Sequence, residues 1–193
     1  MNLDAYSPQI IIGACVAAFV IMLLIVWGVS RRTSLRRTAL LRERFGPEYD
    51  VAVREYGSRR KAEVALETRL RHVGALPVHP LDESDRQRFL AEWDGIQARF
   101  VDHPRGAVTE ADELISSILS ARGYTGGRFD QRVADLSVNH ARLADPYRRA
   151  NAMVAKAGRN EATTEELRGT MILYRALFDE LLQTKTITMR RAA

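Results

Sequence analysis

An all-α protein is the fold class this sequence predicts: a single N-terminal transmembrane helix, a charged helical stalk and a small helical bundle. Three observations predict it. Residues 10–29, IIIGACVAAFVIMLLIVWGV, run for twenty positions without a charge, and a helix of that length rises about 30 Å, the thickness of a bilayer's hydrocarbon core. Beyond this run, apolar residues recur at steps of three and four nearly everywhere, as on one face of a helix. Alternating runs rich in Val, Ile and Thr, which would mark strands, do not occur. With 46% hydrophobic and 27% charged residues among 193, the composition also excludes a wholly disordered or collagen-like chain.

The apolar run is too long and too evenly apolar for a core helix, which keeps a polar face. Tyr6 and Trp27 stand where interfacial aromatics belong, and Pro8 precedes the helix, where a missing N–H does no harm. No Lys or Arg precedes the run, and all 29 basic residues follow it. The positive-inside rule therefore predicts an N-terminus outside the cell membrane and a cytoplasmic C-terminal part. A cleaved signal peptide would need a basic n-region and a small-residue cleavage site, and arginines stand where that site should be. A lipoprotein signal is excluded because most of the apolar run follows Cys15 instead of preceding it. Gly13, Ala14, Ala17 and Ala18 form a small-residue face that would let two anchors pack, without a strict GxxxG.

Charge is concentrated beside the span. Residues 31–72 hold 12 Lys/Arg against 6 Asp/Glu, whereas residues 73–189 hold 15 against 17. Arg31, Arg32, Arg36 and Arg37 are thus expected to contact anionic headgroups and to set the topology. Nucleic acid is not an expected partner, since a basic, aromatic-interleaved face on the folded part is missing.

The first helix is expected to continue to Arg44, broken by Phe45-Gly46-Pro47 because Pro47 removes a donor and restricts Gly46. A second helix is expected from Pro47 to His72, with Glu48 and Asp50 near its positive N-terminus. Tyr49, Ala52, Tyr56, Leu66, Leu70 and Val73 fit a coiled-coil series, interrupted by Arg59 and Glu63. Gly74–Pro80, with two prolines in seven residues, reads as a linker. Asp82 is the expected N-cap of a helix carrying Phe89, Trp93, Ile96 and Phe100 on one face, which ends at Asp102-His103-Pro104.

A helix is expected from Pro104 to Arg122, carrying Val108, Ala111, Leu114, Ile115, Ile118 and Leu119, with Gly123 as its left-handed terminator. Gly123-Tyr124-Thr125-Gly126-Gly127 follows a helix and lacks a P-loop's Lys-Ser/Thr, so a turn is expected there and not a phosphate cradle. Helices are expected from Phe129 to Leu136 and from Ala141 to Ala157, with Pro146 tolerated early in the latter. The last is expected to begin at a capping box, Thr163-Thr164-Glu165-Glu166, with Leu167, Met171, Tyr174, Leu177, Phe178 and Leu181 as an apolar stripe. The resulting division is a short extracytoplasmic segment (1–9), a transmembrane helix (10–29), an Arg-rich stalk (30–73), a linker (74–80), a bundle (81–185) and a tail (186–193).

Chemistry is sparse. His72, His79, His103 and His140 stand near helix ends or loops, with no H-E-x-x-H and no i, i+4 pair, so no metal is expected. G-x-S-x-G is missing, and Cys15, the one cysteine, lies in the expected span, which excludes a cytoplasmic thiol nucleophile. Carboxylate pairs such as Asp112-Glu113 and Glu165-Glu166 fit helix-dipole complementarity. No catalytic residue or cofactor is expected.

The segments Leu41-Arg-Glu-Arg-Phe-Gly-Pro-Glu-Tyr-Asp50, Gln97-Ala-Arg-Phe-Val-Asp102, Ala134-Asp-Leu-Ser-Val138 and Tyr174-Arg-Ala-Leu-Phe-Asp-Glu-Leu-Leu182 resemble an uncharacterised family of bacterial single-pass membrane proteins with a helical cytoplasmic domain. The resemblance covers nearly the whole chain after the anchor, with LRERFGPEYD its most specific string, and Gly126-Gly127 departs from it. It implies the anchored architecture and brings no activity, cofactor or site residue. The function expected is a protein-interaction or scaffold module at the inner leaflet, associating with a protein partner or itself, with membrane lipid as its other contact. The alternatives are an enzyme using His103 or His140 with Asp102 or Asp145, and a protein that binds anionic lipid to organise the membrane.

Overall fold

The computed structural model describes residues 8–124 and 127–183, with side chains from residue 17 onward except those at 26, 28–30 and 33. Among the described residues there are eight helices and no strand, so the all-α class holds. The chain divides after Glu43 into two compact units.

The first unit is built on helix α1 (Pro8–Phe45), 38 residues long. It runs unbroken through residues 10–29 and on to Phe45, where Gly46 (φ 50°) interrupts it as expected. Among the described residues no helix is long and apolar enough to cross a membrane; of the uncharged run, the side chains at 10–16, 26, 28 and 29 lie outside the described residues. Tyr6 also lies outside them. Phe19, Leu24 and Trp27 are exposed, and the Arg31 guanidinium sits 5.3 Å from the Trp27 ring centroid.

The second unit begins with α2 (Pro47–Tyr56) and α3 (Arg59–Ala75), where one continuous helix was expected. Gly57 takes the left-handed conformation (φ 62°) and Ser58 is extended, a conformation that glycine adopts without a Cβ clash. The turn lets both helices bury their apolar faces in one core. Tyr49, Ala52, Leu66 and Val73 are buried there, so the heptad-like series serves bundle packing instead of a coiled coil. The Arg-rich segment is therefore no free-standing stalk beyond residue 43: α2 packs on α3 and α7, and α3 packs on α6. Glu63, the interruption in the series, is buried with its Oε1 accepting from the Tyr49 hydroxyl at 3.0 Å and from Arg59 Nε at 3.1 Å.

After α3, residues 76–82 run without regular structure to α4 (Glu83–Phe100), capped by Asp82 Oδ1, which accepts from Asp85 N at 2.7 Å. Next come α5 (Pro104–Ala121), α6 (Phe129–Asn139), α7 (Ala141–Gly158) and α8 (Thr164–Gln183). The linker is docked: His79 N donates to Arg122 O at 3.0 Å. A Cβ at Gly123 (φ 84°) would lie 2.3 Å from Pro77 O. Gly123 is thus required twice, by its dihedral angle and by the approach of the linker. Thr125 and Gly126, the centre of the glycine-rich loop, lie outside the described residues, as do the tail and the last two positions expected in the bundle.

Helices α4 and α8 both pack on α5, while α7 packs on α2, α5, α6 and α8. The expected apolar faces fill the core, with Phe89, Trp93, Ile96, Leu114, Ile115, Ile118, Tyr174, Leu177 and Phe178 all buried. Trp93 and Phe178 stack at 4.8 Å between ring centroids, a geometry worth about 0.5–1.5 kcal/mol beyond area burial.

Candidate functional site

A groove runs between α4 and α8. It is lined by Trp93, Gln97 and Phe100 from α4 and by Arg168, Met171, Ile172 and Arg175 from α8, and encloses about 290 Å³. The i, i+4, i+7 spacing of Arg168, Ile172 and Arg175 puts them on one face of α8. Ile172 is 66% exposed, a large apolar side chain standing between two cations. Both cations hold intrahelical partners: Arg168 pairs with Glu165 and Arg175 with Asp179, each at 2.9 Å. Arg175 also reaches across to Gln97 Oε1 at 3.2 Å and lies 5.8 Å from the Trp93 ring centroid. Exposed pairs of this kind are worth little and exchange partners readily. Beneath them the Trp93 indole N–H is buried without a hydrogen-bond partner among the described residues, which is unusual in a packed core.

Three polar clusters tie the helices of the second unit together. Glu48, in the LRERFGPEYD string, is 2% exposed. It is held by both Arg148 terminal nitrogens, at 2.9 and 2.5 Å, and by Arg69 at 3.6 Å. The hydrogen bond to Glu48 holds the Arg148 guanidinium above its ordinary value. In the second cluster Tyr174 OH donates to Asp112 Oδ1 at 2.9 Å, and Arg132 Nε donates to the Tyr147 hydroxyl at 3.3 Å. Burial, then the Asp112 carboxylate, pushes both phenols upward, so neither serves as a base near neutral pH. The third joins buried His140 to Glu180, 3.6 Å from Nδ1, and lies near Arg122, whose Nη1 donates to Leu181 O at 3.0 Å. Burial lowers His140 first and Arg122 lowers it further, while Glu180 opposes them.

The remaining candidates are dispersed. Asp102 and His103 both line a second cleft of about 410 Å³ beside Ala162 and Leu167, while Asp145 pairs with Arg149 at 3.0 Å and is not the partner His140 has. His72 Nε2 lies 3.7 Å from the buried Asp135. Among the described residues no group of three His, Cys, Asp or Glu side chains converges to hold a metal. In the first unit Arg31, Arg32 and Arg36 are exposed and Arg37 half-buried, and Arg31 lies over the Trp27 ring.

The chain matches no family model, no curated protein and no solved structure.

Sequence reasoning found the Trp93 face and the α8 stripe as core, but not Ile172 as their exposed edge. Ile172 follows Met171 directly and falls one position off the apolar stripe, which was the available signal. Buried Glu48 and Arg122 carried no comparable mark, since their partners are distant in sequence or are main-chain atoms.

Proposed function

We propose that this chain is a single-pass membrane protein, N-terminus outside, whose helical unit works in the cytoplasm as a protein-interaction module at the inner leaflet. The observation that carries the reading is the uncharged run 10–29, with a helical backbone throughout and basic residues only after it. Phe19 and Trp27 are 58% and 62% exposed. Leaving such side chains in water instead of burying them costs about 1.5–3 kcal/mol each, a cost that lipid removes.

The groove between α4 and α8 is where the module meets its partner, which presents an apolar side chain between carboxylates. The apolar residue covers Ile172, Met171 and Phe100; the carboxylates take Arg168 and Arg175 from their intrahelical partners. Charge complementarity of this kind sets partner choice and encounter rate more than raw affinity.

The test places a photo-crosslinking residue at Ile172 in the full chain, with a reporter active only in the cytoplasm at Ala193. The expected result is an active reporter, recovery in carbonate-washed membranes, and a crosslinked adduct that falls about tenfold in Arg168→Glu/Arg175→Glu, a change of about 1.4 kcal/mol. A silent but expressed reporter overturns the topology. An adduct indifferent to charge reversal overturns the partner's chemistry.

A further inference from the structure

The turn between α2 and α3 carries a second charged surface, separate from Arg31–Arg37. Residues 54–61, Arg-Glu-Tyr-Gly-Ser-Arg-Arg-Lys, hold four basic residues against one acidic. Arg54, Arg60 and Lys61 are exposed and make no ion pair among the described residues; Arg59 is held by Glu63 at 3.1 Å. Two apolar side chains stand among them, Tyr56 at 38% and Val64 at 49% exposure. Arg60 and Val64 are one turn apart on α3, and Lys61 and Val64 are three residues apart, so the cations flank the apolar residue on one face. That face cannot rotate inward, because Ala62, Leu66 and Val73 hold the other side of α3 in the core.

The geometry points to this turn as a binding surface for anionic phospholipid headgroups, formed by Arg54, Tyr56, Arg60, Lys61 and Val64. The inference rests on the anchored reading above and adds a contact made by the folded unit itself. Cations with long apolar stems around a tyrosine and a valine suit the headgroup boundary, where the ring sits at the interface and the charges reach phosphate. The rest of the unit carries no such excess: residues 73–189 hold more acidic than basic side chains, so one side of it favours the anionic surface. Between Val29 and Arg44 the chain is helical and rises only about 22 Å, which keeps the unit at high effective concentration beside the leaflet.

The experiment uses the full chain with Cys15→Ala, so that an environment-sensitive fluorophore can be placed at Ser58→Cys or, as a control, at Ser117→Cys on α5. Each protein is reconstituted in nanodiscs of phosphatidylcholine alone or of phosphatidylcholine with phosphatidylglycerol, with a headgroup-region quencher lipid. Quenching at position 58 is expected to be at least about threefold greater with phosphatidylglycerol and to be lost in high salt, as surface attraction within a Debye length requires. Arg54→Gln/Arg60→Gln/Lys61→Gln should abolish the difference with unchanged thermal unfolding, and position 117 should not respond. Equal quenching in both compositions, or a difference that survives the triple substitution, overturns the proposal while leaving the anchor standing. Failure of the full chain to enter either nanodisc overturns the anchor and this contact with it.

Discussion

Glu48 shows how far a single side chain's role can lie from its sequence neighbours. By position it is a carboxylate in the first turn of α2, favourable to the helix dipole and nothing more. In the fold it is nearly inaccessible and clamped by Arg148, a hundred positions away, with Arg69 behind it. Glu48→Ala leaves Arg148, which is one-third exposed, and Arg69 without their carboxylate, so it is expected to cost about 1–3 kcal/mol, read from chemical denaturation of the full chain in detergent. A loss under about 1 kcal/mol would place the pair in the class of exposed contacts. Glu63 is a milder case. As an acidic residue in an apolar series it reads as a defect, yet Tyr49 supplies its buried partner from the same series. Neither pairing is visible from spacing alone, because hydrogen bonding between helices depends on which faces meet.

At the scale of elements, most boundaries follow local chemistry. The Asp82 cap, the break at Gly46, the Gly123 terminator and the box opening α8 all stand where the residues place them. In that box Thr163 N donates to Glu166 Oε2 at 2.8 Å and Glu166 N donates to Thr163 Oγ1 at 3.3 Å. Thr163→Ala is expected to cost about 1 kcal/mol, as loss of an N-cap side chain does, measured by the same denaturation. The element that local chemistry did not yield is the turn at Gly57. A lone glycine inside a helical pattern lowers helix preference by only about 1 kcal/mol, too little to announce a break. What decides it is the apolar area that α2 and α3 bury once they are free to pack separately against α7 and α6.

For the whole molecule, the titrating groups give two windows of acid sensitivity. His140 is lowered from its ordinary 6.5 by burial and by Arg122, so below about pH 6.5 the unfolded chain binds a proton that the folded chain refuses. Stability therefore falls as pH drops from 6.5 toward the folded value. His140→Gln should flatten the dependence of Tm on pH in that window, and an unchanged slope would remove His140 as its source. Glu166 acts further down. The hydrogen bond from Lys156, with those from Thr163, holds it at about 2 against an ordinary 4.5, so its contribution is present above 4.5 and lost as pH falls toward 2.

Periodicity and capping act within a few residues of the chain, so the all-helical class, nearly every apolar face and the helix caps are legible in the residues alone. So are the uncharged run and the one-sided distribution of basic residues on which the anchor reading stands. Three outcomes emerge with packing: the Arg-rich segment after residue 43 joins the bundle, Glu48 is buried, and Ile172 faces a groove. Those outcomes depend on which helices pack together, and that choice is made by shape and by paired charges between segments far apart in the chain.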